Sequence, residues 1–146
     1  MIEVALEPSK ETVTKLRWSA YVEEDNAPFE LYIPKWRVPE PWPGRIRVGI
    51  AAYKGKPSAF KESPFSEGRP EDPIRVLVRR VSDLVHSVRY APLGEPESWQ
   101  IGEPYIPYSL IPGGADWLVI EVAWDLRSRG QFGGVPTYRE DPLPDS

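Results

Sequence analysis

One histidine, His86, and no cysteine narrow the chemistry open to this 146-residue chain. A Ser-His-Asp arrangement would have to recruit His86, which has Ser87 beside it but no G-x-S-x-G elbow nearby. Thiolate metal sites are excluded, which leaves carboxylates. The best acidic group is Asp116, Glu121 and Asp125. Glu121 and Asp125 share one face of a strand-like run, about 13 Å apart at ~3.3 Å per residue. That exceeds the ~5–9.5 Å that a glycosidase pair needs. Neither a P-loop nor a G-x-G-x-x-G occurs. No cofactor or metal is expected. A small metal- or His86-dependent enzyme is the weakest of three functional readings.

The chemistry that remains is recognition. The chain is acidic overall, with a net charge of −4. Residues 31–61 nevertheless hold seven Lys and Arg against Glu40 alone. Tyr32, Lys35, Trp36, Arg37, Trp42, Arg45, Arg47 and Lys54 are the candidate binding residues in this aromatic-basic block. Cations hold phosphates and flat rings stack on bases, so the block fits single-stranded nucleic acid on a small barrel. An acidic protein, however, opposes the approach of a polyanion. Trp, Tyr and Arg are also the usual anchors of protein interfaces. The leading expectation is therefore a non-enzymatic interaction module that binds a partner protein or a second copy of itself. Nucleic acid is the alternative, and a membrane partner is not expected. A bland reading stands beside both: Arg45 and Arg47 as the solvated face of a strand, Trp36 and Trp42 as core near Pro39, Pro41 and Pro43.

The elements that would position these residues are mostly strands. Leu16, Trp18 and Ala20 alternate with Lys15, Arg17 and Ser19. Ile46, Val48 and Ile50 alternate with Arg45 and Arg47, and Leu118, Ile120, Val122 and Trp124 share a face in a nearly continuous apolar run. Residues 28–34 form another short strand, ended by Pro34. One amphipathic helix is predicted over 73–87. Asp72 would be its N-cap, Pro73 its first residue, and Ile74, Leu77, Val78, Val81, Leu84 and Val85 its apolar face. A strand competes there, because Ile74, Val76 and Val78 also alternate. Residues 55–72 read as a long mobile connection that Phe60 and Phe65 could pin. The tail from Arg127 reads as loop, fraying over 139–146.

The pattern Y-I-P-x-x-x-(V/I)-P occurs twice, from Tyr32 and from Tyr105. Arg17-Trp18 precedes the first copy and Arg89-Tyr90 the second. The expectation is a single mainly β (α+β) domain over 1–146. It would be a small barrel or sandwich of six or more strands in two pseudo-repeated halves, 12–54 and 84–126. The following strands would align Ile46 with Ile120. Eighteen prolines, no cysteine and one methionine lean towards a thermophile. The start of the chain has no basic-then-apolar signal pattern, and no apolar run approaches ~18 residues, so a cytoplasmic address is expected.

Overall fold

The computed structural model describes residues 1–64 and 69–133. Eight strands close into an antiparallel barrel. They are β1 (Ile2–Glu11), β2 (Lys15–Val22), β3 (Ala27–Pro34), β4 (Arg45–Ala52), β5 (Ile74–Asp83), β6 (Ser87–Pro92), β7 (Tyr105–Pro107) and β8 (Trp117–Asp125). Around the barrel the order is β1-β2-β3-β7-β6-β5-β8-β4. The only helical elements among the described residues are single 3-10 turns.

Each strand turns its apolar phase inward. Leu6, Leu16, Trp18, Phe29, Leu31, Ile33, Ile46, Val48, Ile50, Val88, Ile106, Leu118, Ile120 and Val122 are buried in one core. An eight-stranded barrel has just enough interior for such side chains to fill. The outer phase carries ion pairs instead: Arg45 with Glu7 (3.1 Å), Arg75 with Glu121 (3.2 Å) and Arg17 with Glu30 (3.0 Å).

The helix predicted over 73–87 is not present. β5 and the turn after it occupy those residues. Ile74, Val76 and Val78 point into the core, and β5 pairs with β8 from Ile74↔Val122 to Arg79↔Trp117. On its other side it pairs with β6. A helix would have left both neighbours without ladder partners, at a cost no amphipathic stripe offsets. The run is also rich in β-branched residues, which suit a pleated surface. Leu84 and Val85, which the helix would have buried, lie at the exposed hairpin turn, Val85 at 85% exposure. Asp72 is no cap. Its backbone carbonyl accepts bonds from Arg37 and Trp124.

Strands β1–β4 lie in the order 4-1-2-3, and β5–β8 in the order 8-5-6-7. Each is a Greek-key arrangement. Their registers match 72 positions on: Val4↔Val48 corresponds to Val76↔Ile120, and Leu6↔Ile46 to Val78↔Leu118. The bulges match as well. One falls between Pro8 and Lys10 opposite Trp18 and Arg17, the other between Arg80 and Ser82 opposite Tyr90 and Arg89. Arg17 binds Ser9 (2.9 Å) and Glu30, while Arg89 binds Ser82 (3.3 Å) and Glu103 (2.9 Å). By these registers Val48, not Ile46, is the counterpart of Ile120. Each set also holds four strands rather than three.

Two seams join the sets. β4 and β8 pair continuously from Arg45↔Asp125 to Ala52↔Leu118. β3 and β7 share only Glu30↔Tyr105, followed by Gly102 N–H donating to the Tyr32 carbonyl (2.7 Å). Extending that register sets Pro28 against Pro107 and Leu31 against Pro104, and proline has no N–H to give.

The barrel end that carries the β1–β2 turn is closed by rings. Trp18 meets Phe132 edge-on (5.0 Å) and Trp124 at a tilt (5.9 Å), and Trp42 meets Phe132 edge-on (5.9 Å). Indole donors there are used: Trp18 bonds the Pro43 carbonyl (3.3 Å) and Trp124 the Asp72 carbonyl (3.2 Å). In the connection after β4, Phe60 packs on Tyr53 (5.4 Å) beneath the Arg75 guanidinium (4.5 Å). Phe65 and the fraying predicted over 139–146 lie outside the described residues.

Candidate functional site

The hairpin turn between β1 and β2 and the connection between β6 and β7 lie at the same end of the barrel. Between them the chain leaves β3 at Pro34 and makes the 3-10 turn Lys35–Arg37. Lys35 N–H donates to the Thr14 carbonyl (2.8 Å), which ties this turn to the hairpin. A second 3-10 turn, Pro96–Ser98, shapes the β6–β7 connection. A hollow of about 180 Å³ opens between these segments, lined by Thr14, Lys15, Trp36, Glu97, Trp99 and Ile101 with Pro34, Pro96 and Gly102. Trp36 is 54% exposed. Trp99 is half-buried and its indole donates to the Gly94 carbonyl (3.1 Å).

Trp36 is followed by Arg37 and Trp99 by Gln100. These two polar side chains turn inward and meet, Arg37 Nε donating to Gln100 Oε1 (2.9 Å). Arg37 is only 3% exposed and Gln100 fully buried. The guanidinium also donates to the carbonyls of Pro70 (2.7 Å), Asp72 (2.9 Å) and Pro73 (3.2 Å). Gln100 Nε2 donates to the Ser63 carbonyl (2.7 Å). Burial lowers the Arg37 pKa from the usual arginine range, and Asp72 and Glu71 act the other way. The buried pair thus joins the two segments that present the rings, fixing one relative to the other.

The eight residues expected to form a binding surface are not brought together. Arg37 is a correction: its donors are spent inside the protein, so it offers a ligand nothing. Trp42 packs on Phe132 with the Lys35 ammonium 5.4 Å from its ring. Lys35 pairs with Glu11 (2.8 Å). Tyr32 lies half-buried on the outer face of β3 beneath Arg17 (5.7 Å). Arg45 stands between Glu7 and Asp125 (3.7 Å) on the outer face of β4. Arg47, on the same face, borders a shallow hollow with Glu3, Arg75 and Glu121. Lys54 is exposed beyond the other end of β4. β3 and β4 are separated by β2 and β1, about 14 Å around the barrel at ~4.8 Å per strand step. Of the eight, Trp36 alone lines the hollow. Apart from Pro34, the rest of its lining lies outside the basic block, and its one sequence signal is a tryptophan beside a polar residue in each of two proline-bounded turns.

The catalytic candidates stay apart. His86 is exposed on the β5–β6 turn, at the end opposite the hollow, while Glu121 and Asp125 are engaged by Arg75 and Arg45. Among the described residues no three His, Cys, Asp or Glu are grouped to hold a metal. No helix among them is long and apolar enough to cross a membrane. Set against protein-family models, curated proteins and solved structures, the chain matches none of them.

Proposed function

We propose that this protein is a non-enzymatic interaction module that holds a segment of a partner protein in the hollow between Trp36 and Trp99. The observation that carries the reading is the half-exposed Trp36 ring, anchored from behind by the buried Arg37–Gln100 bond. A rigid aromatic presented at a depression is the usual anchor of a protein interface. The volume agrees. About 180 Å³ falls below the ~300–1,000 Å³ of small-molecule sites, and is close to the ~150 Å³ cavity that holds a benzene. One or two side chains fit such a hollow.

Nucleic acid is the weaker reading, because the cations that suggested it are buried, paired with carboxylates or spread around the barrel. A soluble, cytoplasmic setting goes with the interaction role. Its support is an exterior of ion pairs, where a membrane barrel carries an apolar band. We also read the matched registers and bulges as the outcome of an internal duplication within one domain. On that reading the two corners diverged: the first copy carries Trp36, while Ser109, at the matching place, binds Asp25.

The test is selection from a random peptide library on the immobilised protein and on its Trp36→Ala variant. Sequences enriched on the first and absent from the second support the reading. Enrichment that ignores Trp36, or none at all, defeats it. A labelled oligonucleotide that binds with a steep salt dependence would favour nucleic acid instead.

A further inference from the structure

Protein segments dock on folded domains in a few backbone forms, and this hollow accepts one of them. Strand addition needs a sheet edge with unpaired donors. The barrel is closed, and at the weak β3–β7 seam Pro28, Pro104 and Pro107 remove the donors while Gly102 already bonds Tyr32. A helix needs a trough for anchors at i, i+3, i+4 and i+7, about 10 Å of axis at ~1.5 Å per residue. A hollow for one or two side chains does not seat four, whereas a Pro-x-x-Pro segment presents two. The remaining form is polyproline II. It has no internal hydrogen bonds, is stiff before binding, and sets its prolines against aromatic faces. Here Trp36 and Trp99 are the walls, with Ile101 buried among the lining residues and Pro34 and Pro96 beside them.

Charge selects further. Glu97 lines the hollow from the β6–β7 connection and Glu95 is exposed two residues earlier. Among the described residues neither carboxylate joins an ion pair, whereas Glu11, Glu30 and Glu103 are each taken by a Lys or Arg. A ligand that places a cation over this side of the hollow finds an opposite charge waiting. Lys15, the first residue of β2, also lines the hollow, so that cation gains only when directed towards Glu97.

We propose that the occupant is a polyproline-II segment of a partner protein with a lysine or arginine next to its prolines. This rests on the interaction reading above and gives it a ligand class. Synthetic dodecapeptides carrying Pro-x-x-Pro followed by Arg provide the probe, followed by indole fluorescence and by amide shifts of residues 95–102. The expected result is saturable binding that weakens about tenfold or more in Trp36→Ala, with the fold retained in circular dichroism because Trp36 is no part of the buried core. Replacing both peptide prolines by alanine should abolish it. Glu97→Lys should reverse the preference between the Arg peptide and its Glu counterpart, and the effect should fade with salt.

Equal binding of the alanine peptide would overturn the proposal, as would indifference of the Arg and Glu peptides to Glu97→Lys. So would a Trp36-dependent dimer in light scattering, which makes a second copy the occupant. Peptide binding only in a chain ended at Gly133 would assign the hollow to residues 134–146. The two readings fail separately. If the library yields Trp36-dependent ligands without proline, the interaction role stands and this ligand class falls.

Discussion

Replacing Arg37 by methionine keeps most of its length and removes its five donors. Four acceptors then lose a partner: Gln100 Oε1 and the carbonyls of Pro70, Asp72 and Pro73. The three carbonyls belong to residues with some exposure, so water can replace part of what they lose. Gln100 is fully buried, and its Oε1 keeps only a long bond from Ser63 (3.4 Å). A buried acceptor left without a donor costs about 1–3 kcal/mol, and losing the charge-assisted bonds to three partly hydrated carbonyls adds about 2 kcal/mol more. We expect Arg37→Met to lose about 3–5 kcal/mol from a total of roughly 5–15. At about 2–4 °C per kcal/mol for a chain of this size, the unfolding midpoint drops by about 6–20 °C. Removing both partners leaves fewer orphans than removing one. Arg37→Met with Gln100→Leu should therefore be more stable than the summed single losses predict, by more than ~1 kcal/mol. Urea unfolding followed by circular dichroism reads all three variants, and indole fluorescence reports whether Trp36 is displaced. A loss below about 1 kcal/mol in Arg37→Met, or strict additivity in the double variant, would refute the claim that this pair holds the two tryptophan segments together.

Tyr90 is buried, donates to the Ala115 carbonyl (2.6 Å), and has its pKa pushed up from 10 to about 12, mainly by burial. A raised folded value means that its stabilising contribution is whole below pH 10 and is lost as pH climbs through about 12. Two units correspond to about 2.7 kcal/mol. Melts between pH 9 and 12 should fall more steeply in the wild type than in Tyr90→Phe, and parallel curves would count against this. A Cβ at Gly44 would lie 2.5 Å from the Arg129 carbonyl oxygen, with backbone as the obstacle. Gly44→Ala should thus shift the segment that carries Phe132 and red-shift the emission of Trp18 and Trp124, whereas an unchanged spectrum would show that the segment yields freely. The proline-rich, cysteine-free composition predicts an unfolding midpoint above the ~45–65 °C typical of mesophile domains, and a scanning calorimeter decides it.

Period-2 alternation made β2, β4 and β8 legible, because each has one face in the core and one in water. The same alternation runs through Ile2, Val4 and Leu6 in β1 and through Ile74, Val76 and Val78 in β5. In β5 Leu77, Val81, Leu84 and Val85 superimposed a helical spacing on it. Local sequence does not separate the two periods there. The unpaired edges of β6 and β8 do, and those exist only once the barrel closes. The basic block misled for a related reason. Lys35 and Arg37 sit on a 3-10 turn that sends one to Glu11 and the other inward, while Arg45 and Arg47 share the outer face of β4, three strand steps from β3.

Composition, alternation and the doubled Tyr-Ile-Pro corner were enough to determine a β-rich barrel or sandwich. These signals depend on neighbours two to eight residues away. The hollow depends on segments about sixty residues apart, Lys35–Arg37 and residues 96–102, and on which side chain of each turns inward. Only the folded barrel decides that Arg37 and Gln100 meet in its interior while Trp36 and Trp99 border the hollow. Burying a guanidinium is tolerable only where several acceptors converge on it, and that convergence is a property of the closed fold.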